Sequence, residues 1–234
     1  MKICALISSG KDSLYAAYLA SRENEIVCFL TMISKNKDSY MFHTPSIELV
    51  KYQAESAGVP LIEVETAGEK EKELLDLKKG LLTAKERYGI EGIVSGALYS
   101  NYQKERIDKL AEEVGLESLA PLWHMDQKQE VEDLISTGFK IIFTKIAAYG
   151  LSKKWLNVEI GKSELEQLSK IAKSCGINIS GEGGEYESLV LDCPMFHKII
   201  KIIDSEIEEE SEDLAFLKIK RVKLLDKNKQ QVRK

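Results

Sequence analysis

The sequence has few of the residues that build metal, redox or disulfide sites. Of its 234 residues only four are cysteine, and no two of them form a C-x-x-C pair. Three of the four lie in apolar segments typical of strands or helix ends, where a thiol is expected to serve as a small core residue. This pattern argues against a zinc site, a redox pair and the reactive thiols that sulfur-transferring ATP enzymes need.

Long apolar runs and an excess of positive charge are also missing. No run approaches the roughly 20 apolar residues that span a bilayer, and the short apolar start is not typical of a signal peptide. We therefore expect a cytoplasmic protein with no membrane partner. The formal net charge is −5, so no overall positive field attracts nucleic acid and no direct nucleic-acid partner is expected. Net charge does not exclude a local basic groove.

Strand and helix patterns alternate through the first half of the chain. Strands are predicted at 2–7, 25–33, 61–64 and 92–95, and helices at 12–22, 46–57, 69–88 and 102–114. Strands separated by helices form a parallel sheet with helices on both faces. The first half therefore predicts an α/β, Rossmann-like nucleotide-binding domain, to which we assign residues 1–126.

The second half has a different pattern. Helices are predicted at 127–137 and 163–175, and strands at 139–146, 188–192, 198–207 and 215–225. Strands that follow one another without intervening helices indicate a smaller α+β domain. We assign residues 127–234 to it as a substrate-binding domain, with a soft boundary at 125–127.

Polar segments follow three of the predicted parallel strands, at 8–13, 34–44 and 95–103. Ligands bind at the carboxyl ends of the strands in such sheets. We therefore expect these three segments to meet at one edge.

The segment after the first strand, Ser8-Ser-Gly-Lys-Asp-Ser13, is typical of a loop that binds the phosphates of ATP. Small residues let backbone N–H groups approach phosphate oxygens, and the following helix start adds unpaired donors. The run is not a Walker A loop, which requires glycine at position 5 and serine or threonine at position 12, where this chain has Ala5 and Asp12. An acidic residue at a phosphate site is best explained by Mg²⁺.

The second unusual stretch is Ser180-Gly-Glu-Gly-Gly-Glu-Tyr-Glu-Ser188, with three glycines and three carboxylates. Clustered carboxylates bind a cationic ligand, hold a metal, act as a general base or simply face water. The stretch alone does not decide among these four roles.

The run at 8–13 resembles the Ser-Gly-Gly-x-Asp-Ser loop of the N-type ATP pyrophosphatases. In that superfamily the loop binds pyrophosphate, and ATP is cleaved between its α and β phosphates. Ser9 departs from the pattern, since the superfamily usually has glycine there. A side chain at this position is unfavourable if the backbone needs a positive φ.

Several further stretches resemble the diphthine–ammonia ligase family, in the same order as in the family and between residues 1 and 200. They are Met41-Phe-His-Thr-Pro45, Gln53-Ala-Glu-Ser-Ala-Gly-Val-Pro60, Val94-Ser-Gly-Ala97, Tyr102-Gln-Lys-Glu-Arg106, Ala120-Pro-Leu-Trp123, Gly150-Leu-Ser-Lys-Lys-Trp-Leu156 and Val190-Leu-Asp-Cys-Pro-Met-Phe196. Ser188 stands where the family often has threonine, a change that keeps the hydroxyl.

The resemblance implies an AMP-forming C–N ligase. ATP adenylates the carboxylate of diphthine, the modified histidine of translation elongation factor 2. Ammonia then attacks the acyl-adenylate and gives diphthamide, AMP and pyrophosphate. The implied cofactors are ATP and Mg²⁺. The implied partners are the diphthine-bearing factor and free ammonium, because a glutaminase domain would need a nucleophilic cysteine and a longer chain. A homodimer is compatible with the sequence.

The resemblance also implies a set of site residues. The expected nucleotide contacts are Ser8, Ser9, Gly10, Lys11, Asp12, Ser13, Gly96 and Ala97. The expected catalytic residues are Lys11, Asp12, Arg106, Glu182 and Glu185, with Asp12 also the expected Mg²⁺ ligand. The expected substrate-binding residues are Tyr102, Gln103, Glu182, Gly183, Gly184, Glu185, Tyr186 and Glu187. Our hypothesis is that four of them, Glu182, Glu185, Tyr186 and Glu187, form a wall for the trimethylammonium group of diphthine.

Structural alternatives exist for some of these residues. Gly96 and Ala97 could equally form a plain turn, and Arg106 a surface ion pair. His43 lies in the polar segment after the second strand and could be a base or a nucleotide contact. A single histidine in a loop more often has no functional role. Trp123 and Trp155 are expected to pack in the structure.

Two other functions fit parts of the sequence. An ATP-dependent tRNA-modifying enzyme would keep the phosphate loop, but thiolation needs cysteines and amine transfer favours a basic tRNA-binding face. A non-catalytic ATP-binding regulatory protein would leave the glycine–glutamate stretch unexplained.

Overall fold

The computed structural model describes residues 1–34, 47–69 and 72–227. It divides into two units, Met1–His124 and Met125–Lys234. In the described residues no helix is long and apolar enough to cross a membrane.

The first unit is a five-stranded parallel sheet with helices. Its strands are β1 (Lys2–Leu6), β2 (Glu25–Ser34), β3 (Leu61–Thr66), β4 (Gly92–Val94) and β5 (Glu117–Leu119). Its helices are α1 (Lys11–Ala20), α2 (Val50–Ala57, preceded by a 3-10 turn at Ile47–Leu49), α3 (Lys72–Tyr88) and α4 (Asn101–Glu113). All pairings are parallel, so the predicted α/β class is confirmed. The short polar edge strand β5 was not predicted.

The strand order β3-β2-β1-β4-β5 fixes where a ligand can bind. The chain moves outward from β1 to β3 and then returns to the other side of β1. Because such crossovers are right-handed, α1 and α2 cover one face of the sheet and α3 and α4 the other. In agreement, Leu77 and Leu81 of α3 share a core cluster with Ile107 and Leu110 of α4. The direction of winding reverses between β1 and β4, and this switch point is where open α/β sheets bind ligands.

The second unit contains a four-stranded antiparallel sheet and two helices. Its strands are β6 (Lys140–Ala147), β7 (Tyr186–Asp192), β8 (Lys198–Ser211) and β9 (Leu214–Asp226), in the order β7-β6-β9-β8. Its helices are α5 (Gln127–Ser136) and α6 (Lys162–Cys175), with a 3-10 turn at Lys153–Trp155. Antiparallel pairing throughout makes this unit α+β, as predicted.

Candidate active site

The segment 8–13, called the phosphate loop from here on, joins β1 to α1 and folds around the side chain of Ser13. The Ser13 hydroxyl accepts hydrogen bonds from the backbone N–H of Ser8 (3.2 Å) and from the Ser8 hydroxyl (3.3 Å). It donates to the carbonyl oxygen of Gly10 at 3.1 Å. Since α1 begins at Lys11, the N–H groups of its first turn have no acceptor within the helix. Such N–H groups bind phosphate at helix N-termini.

Lys11 and Asp12 form an ion pair in this loop. The Lys11 Nζ atom lies 2.5 Å from Asp12 Oδ1. The Lys11 side chain is only 1% exposed, whereas 29% of the Asp12 side chain is exposed. The lysine charge is therefore buried, and the aspartate is the partner with the more accessible side chain.

Ser9 has a backbone φ of 72°, in the left-handed region that favours glycine. This position therefore has the positive φ under which serine is unfavourable. The residue is fully buried, and its hydroxyl oxygen has no hydrogen-bond partner among the residues that the structure describes.

Gln53 is a contact of the phosphate loop that sequence patterns did not indicate. This buried residue of α2 donates a 3.0 Å hydrogen bond from Nε2 to the carbonyl oxygen of Ser9. The two residues are 44 positions apart, so no local pattern predicts the bond. The only signal in the sequence was that Gln53 opens one of the family-like stretches.

Gly96 follows β4 and packs directly against the phosphate loop. A β-carbon on Gly96 would lie 2.6 Å from the carbonyl carbon of Asp12 and 2.6 Å from the backbone nitrogen of Ser13. The space at Gly96 is thus occupied by the loop backbone. Ala97 beside it is 5% exposed. The smallness of Gly96 thus serves packing between the β1 and β4 ends, and the expectation that Gly96 and Ala97 contact the nucleotide stays a prediction.

Three predicted residues lie at the start of α4, which follows the same strand. The side chain of Ser100 caps the helix by accepting a hydrogen bond from the N–H of Gln103 at 3.3 Å. The guanidinium carbon of Arg106 lies 3.5 Å from the ring centre of Tyr102, and Arg106 Nη1 is 3.4 Å from the Tyr102 carbonyl oxygen. Both side chains are half-buried. The guanidinium of Arg106 therefore stacks on the Tyr102 ring, and its expected contact with phosphate stays a prediction.

A stack of rings joins the segments that follow β4 and β5. His124 lies between Tyr99, at 5.7 Å between ring centres, and Trp123, at 4.5 Å. Its backbone N–H donates to the carbonyl oxygen of Leu98, and its φ is 60°. Lys104 Nζ lies 5.5 Å from the Trp123 ring centre. Trp123 packs, as expected, while the histidine and tyrosine of the stack were not predicted.

In the second unit, residues 180–185 form a loop and Tyr186 and Glu187 begin β7. We call residues 180–187 the glycine–glutamate loop, and Glu185 holds it together. Glu185 Oε1 accepts hydrogen bonds from the backbone N–H and the side-chain amide of Asn178, both at 2.8 Å. Its Oε2 accepts one from the N–H of Gly183, also at 2.8 Å. A β-carbon on Gly183 would lie 2.6 Å from Glu185 Oε1. These contacts give Glu185 a structural task that clustered carboxylates in a sequence do not reveal.

Tyr186 belongs to the interior of this unit. Its ring is 4% exposed and stacks on Phe143 with 3.8 Å between ring centres. Its hydroxyl donates to the carbonyl oxygen of Ile179 at 2.5 Å. Tyr186 therefore supports the loop, and its expected contact with the substrate stays a prediction.

The remaining members of the glycine–glutamate loop are more accessible. Glu182, Gly183 and Gly184 are exposed, and Glu187 is half-buried on β7, where it pairs with Lys145 of β6. Gly184 has a φ of 83°, which a residue with a β-carbon rarely adopts. Glu182 and Glu187 are therefore the carboxylates of this loop that a ligand can reach.

The cysteines are not arranged for thiol chemistry. Cys4, Cys28 and Cys193 are buried, and all four thiols are free. A hydrogen bond with Cys28 raises the pKa of Cys4, and burial raises the pKa of Cys193 to about 12. Thiolates are the reactive form, so Cys4 and Cys193 are poor nucleophiles, in agreement with their expected role in the core.

Two predictions from the sequence, a role for residue 43 and a bound Mg²⁺, stay predictions. Residue 43 and the stretch 41–45 lie outside the described residues, as does most of the polar segment 34–44. Across 1–34, 47–69 and 72–227, no group of three or more histidine, cysteine, aspartate or glutamate side chains could hold a metal ion.

A phosphate loop at the switch point of a parallel sheet, followed by a separate α+β unit, defines an α/β nucleotide-binding protein. Family models described as the diphthamide synthase N-terminal domain and C-terminal domain match residues 1–118 and 126–225. The chain belongs to the diphthamide synthase family.

Curated relatives agree with this assignment over nearly the whole chain. A Mus musculus protein named diphthine–ammonia ligase is 32% identical over 97% of this chain and 94% of its own length. A Danio rerio protein of the same name is 33% identical over 97% of this chain and 98% of its own. A Schizosaccharomyces pombe protein of that name is 32% identical over 94% of this chain, which corresponds to 39% of the longer yeast protein.

Proposed function

We propose that this protein is an AMP-forming ligase that amidates diphthine on translation elongation factor 2 with ammonia, at the expense of ATP. The observation that carries the proposal is the agreement between family and fold. The chain matches relatives named diphthine–ammonia ligase over 97% of its length, and its phosphate loop lies at the β1–β4 switch point. The proposal includes a cytoplasmic location.

The reaction needs activation because a carboxylate is a poor electrophile. A carboxylate oxygen of diphthine attacks the α-phosphorus of ATP, the bond to the β-phosphate oxygen breaks, and pyrophosphate leaves. Ammonia then attacks the acyl carbon, AMP leaves, and the extra proton passes to solvent. The phosphate loop would bind the departing pyrophosphate through the N–H groups at the start of α1, while the hydroxyls of Ser8 and Ser13 hold the loop in shape. Lys11 would offset the charge that develops there.

The phosphate loop also fits a magnesium ion bound together with the nucleotide. Mg²⁺ usually takes one or two carboxylates, with phosphates and waters completing its shell. The partly exposed carboxylate of Asp12 fits that mode, and a cluster of three ligands is not required. When bound, the ion would add to the neutralisation of the leaving pyrophosphate, and Asp12 would hold it.

For the acceptor we assign Glu182 and Glu187 to the trimethylammonium group of diphthine. They are the accessible carboxylates of the glycine–glutamate loop, while Glu185 holds that loop in shape. Arg106, fixed flat on Tyr102, would bind a phosphate or the acyl-adenylate, since a guanidinium held in one plane suits bidentate contact with phosphate oxygens. Tyr102 and Gln103 would line the same part of the site.

The proposal is tested by the products of ATP cleavage. The protein is incubated with ATP, magnesium, ammonium and elongation factor 2 bearing diphthine. We expect AMP and pyrophosphate in equal amounts, dependent on the factor. A factor with an unmodified histidine is the control and should give neither product. Release of ADP, or AMP formation that is indifferent to the acceptor, would contradict the proposal.

A further inference from the structure

The phosphate loop contains a backbone conformation that its own residue disfavours. Ser9 has a φ of 72°, and the left-handed region is unfavourable for any residue with a β-carbon. The Ser9 hydroxyl does not offset this, because it is buried and has no hydrogen-bond partner among the residues described. Some other contact must therefore keep Ser9 in this conformation.

The amide of Gln53 supplies such a contact. It donates to the Ser9 carbonyl oxygen at 3.0 Å, and both residues are 0% exposed. Because water does not compete in a buried location, losing the donor would leave a buried carbonyl unsatisfied. The bond also fixes the orientation of the peptide between Ser9 and Gly10, directly before the helix start.

Gln53 and Gly96 contact different parts of the loop. Gln53 belongs to α2, which lies with α1 on one face of the sheet, whereas Gly96 follows β4 and presses on the backbone of Asp12 and Ser13. The loop is thus restrained at its strand end by α2 and at its helix end by the segment after β4.

We infer that Gln53 is a positioning residue for the bound triphosphate. Its side-chain amide holds Ser9 in the left-handed conformation that the phosphate loop requires. The inference rests on the proposed use of this loop for ATP. It also gives a role to the family-like stretch 53–60, which the proposed reaction had left without one.

The test compares ATP with AMP in calorimetric titrations of the full-length protein, with magnesium chloride present. We expect Gln53→Met to weaken ATP binding by roughly tenfold and to change AMP binding by less than about twofold, because only the triphosphate reaches the loop. A merely structural role would weaken both nucleotides or neither. Ser56→Ala is the matched control, since Ser56 is on the same helix, is 0% exposed and has a hydroxyl without a partner in the described part of the chain.

A second variant keeps the inference testable if Gln53→Met folds poorly. Ser9→Gly removes the disfavoured β-carbon, so it should raise the melting temperature by roughly 2 to 4 °C. In the Ser9→Gly background, Gln53→Met should weaken ATP binding by less than about threefold, since glycine holds the positive φ unaided. Equal losses in both backgrounds, or no loss in either, would overturn the inference. Failure of the proposed function gives a different result, because the wild-type protein itself would then not bind ATP. Failure of the inference alone leaves wild-type binding intact.

Discussion

Replacing Gly96 by alanine should weaken ATP binding roughly 30- to 100-fold. The new β-carbon would lie 2.6 Å from backbone atoms of both Asp12 and Ser13, and backbone cannot rotate away as a flexible side chain can. Overpacking of this kind costs about 2 to 3 kcal/mol, and each 1.4 kcal/mol is roughly a factor of ten in affinity. The measurement is a titration with ATP, together with thermal unfolding to show how much of the strain appears as lost stability.

Gly89→Ala is the matched control for this variant. Gly89 lies just after α3 with a φ of 62°, and a β-carbon there would meet nothing within 4 Å. The substitution should cost about 1 kcal/mol of stability through backbone strain and leave ATP affinity unchanged. If Gly96→Ala bound ATP as tightly as the wild-type protein, the close packing of the β4 end on the phosphate loop would not be needed for binding.

Glu185→Gln should destabilise the protein by about 2 to 4 kcal/mol and sharply raise the KM for the diphthine-bearing factor. The carboxylate accepts three hydrogen bonds at 2.8 Å. An amide of the same shape presents an NH₂ group to at least one of those donors. Hydrogen bonds to charged groups contribute roughly 1.5 to 3 kcal/mol each. Chemical denaturation measures the first effect, and initial rates at varied factor concentration measure the second.

Two further glutamate-to-glutamine variants distinguish the effect of loop shape from the effect of direct contact with the substrate. Glu166→Gln on α6 removes an exposed charge of the same unit and should change neither stability nor KM. Glu182→Gln should leave stability unchanged, because the residue is exposed, yet raise the KM. Unaltered stability in Glu185→Gln would show that its three hydrogen bonds do not hold the loop.

The parts of the fold that the sequence predicted are those governed by local patterns. Apolar runs bounded by polar or glycine residues identified β1 to β4, and helical spacing identified α1 and α4 to within two residues at either end. The three-residue strand β5, Glu117–Leu119, has no such pattern. Within the described part of the chain it is an edge strand whose one partner is β4, so neither length nor burial marks it in the sequence.

The candidate site was predictable in its residues and less so in their roles. The phosphate loop follows from small residues at a strand–helix junction, and the unfavourable φ of Ser9 follows from comparison with the N-type pattern. Gln53 could not be found in this way, because its contact joins α2 to a loop that is distant in the sequence. Likewise, three neighbouring glutamates look equivalent in the sequence. Only folding shows that Glu185 turns inward to backbone donors while Glu182 stays exposed.

The most direct test of the account follows nitrogen from ammonium into the protein substrate. Elongation factor 2 bearing diphthine is incubated with the protein, ATP, magnesium and isotopically labelled ammonium, and the modified histidine is then examined by mass spectrometry. The account predicts one labelled nitrogen in the amide of each converted histidine, one AMP released for each, and no incorporation when ATP is omitted. A factor that remains unlabelled while ATP is consumed, or label that enters without AMP release, would contradict it.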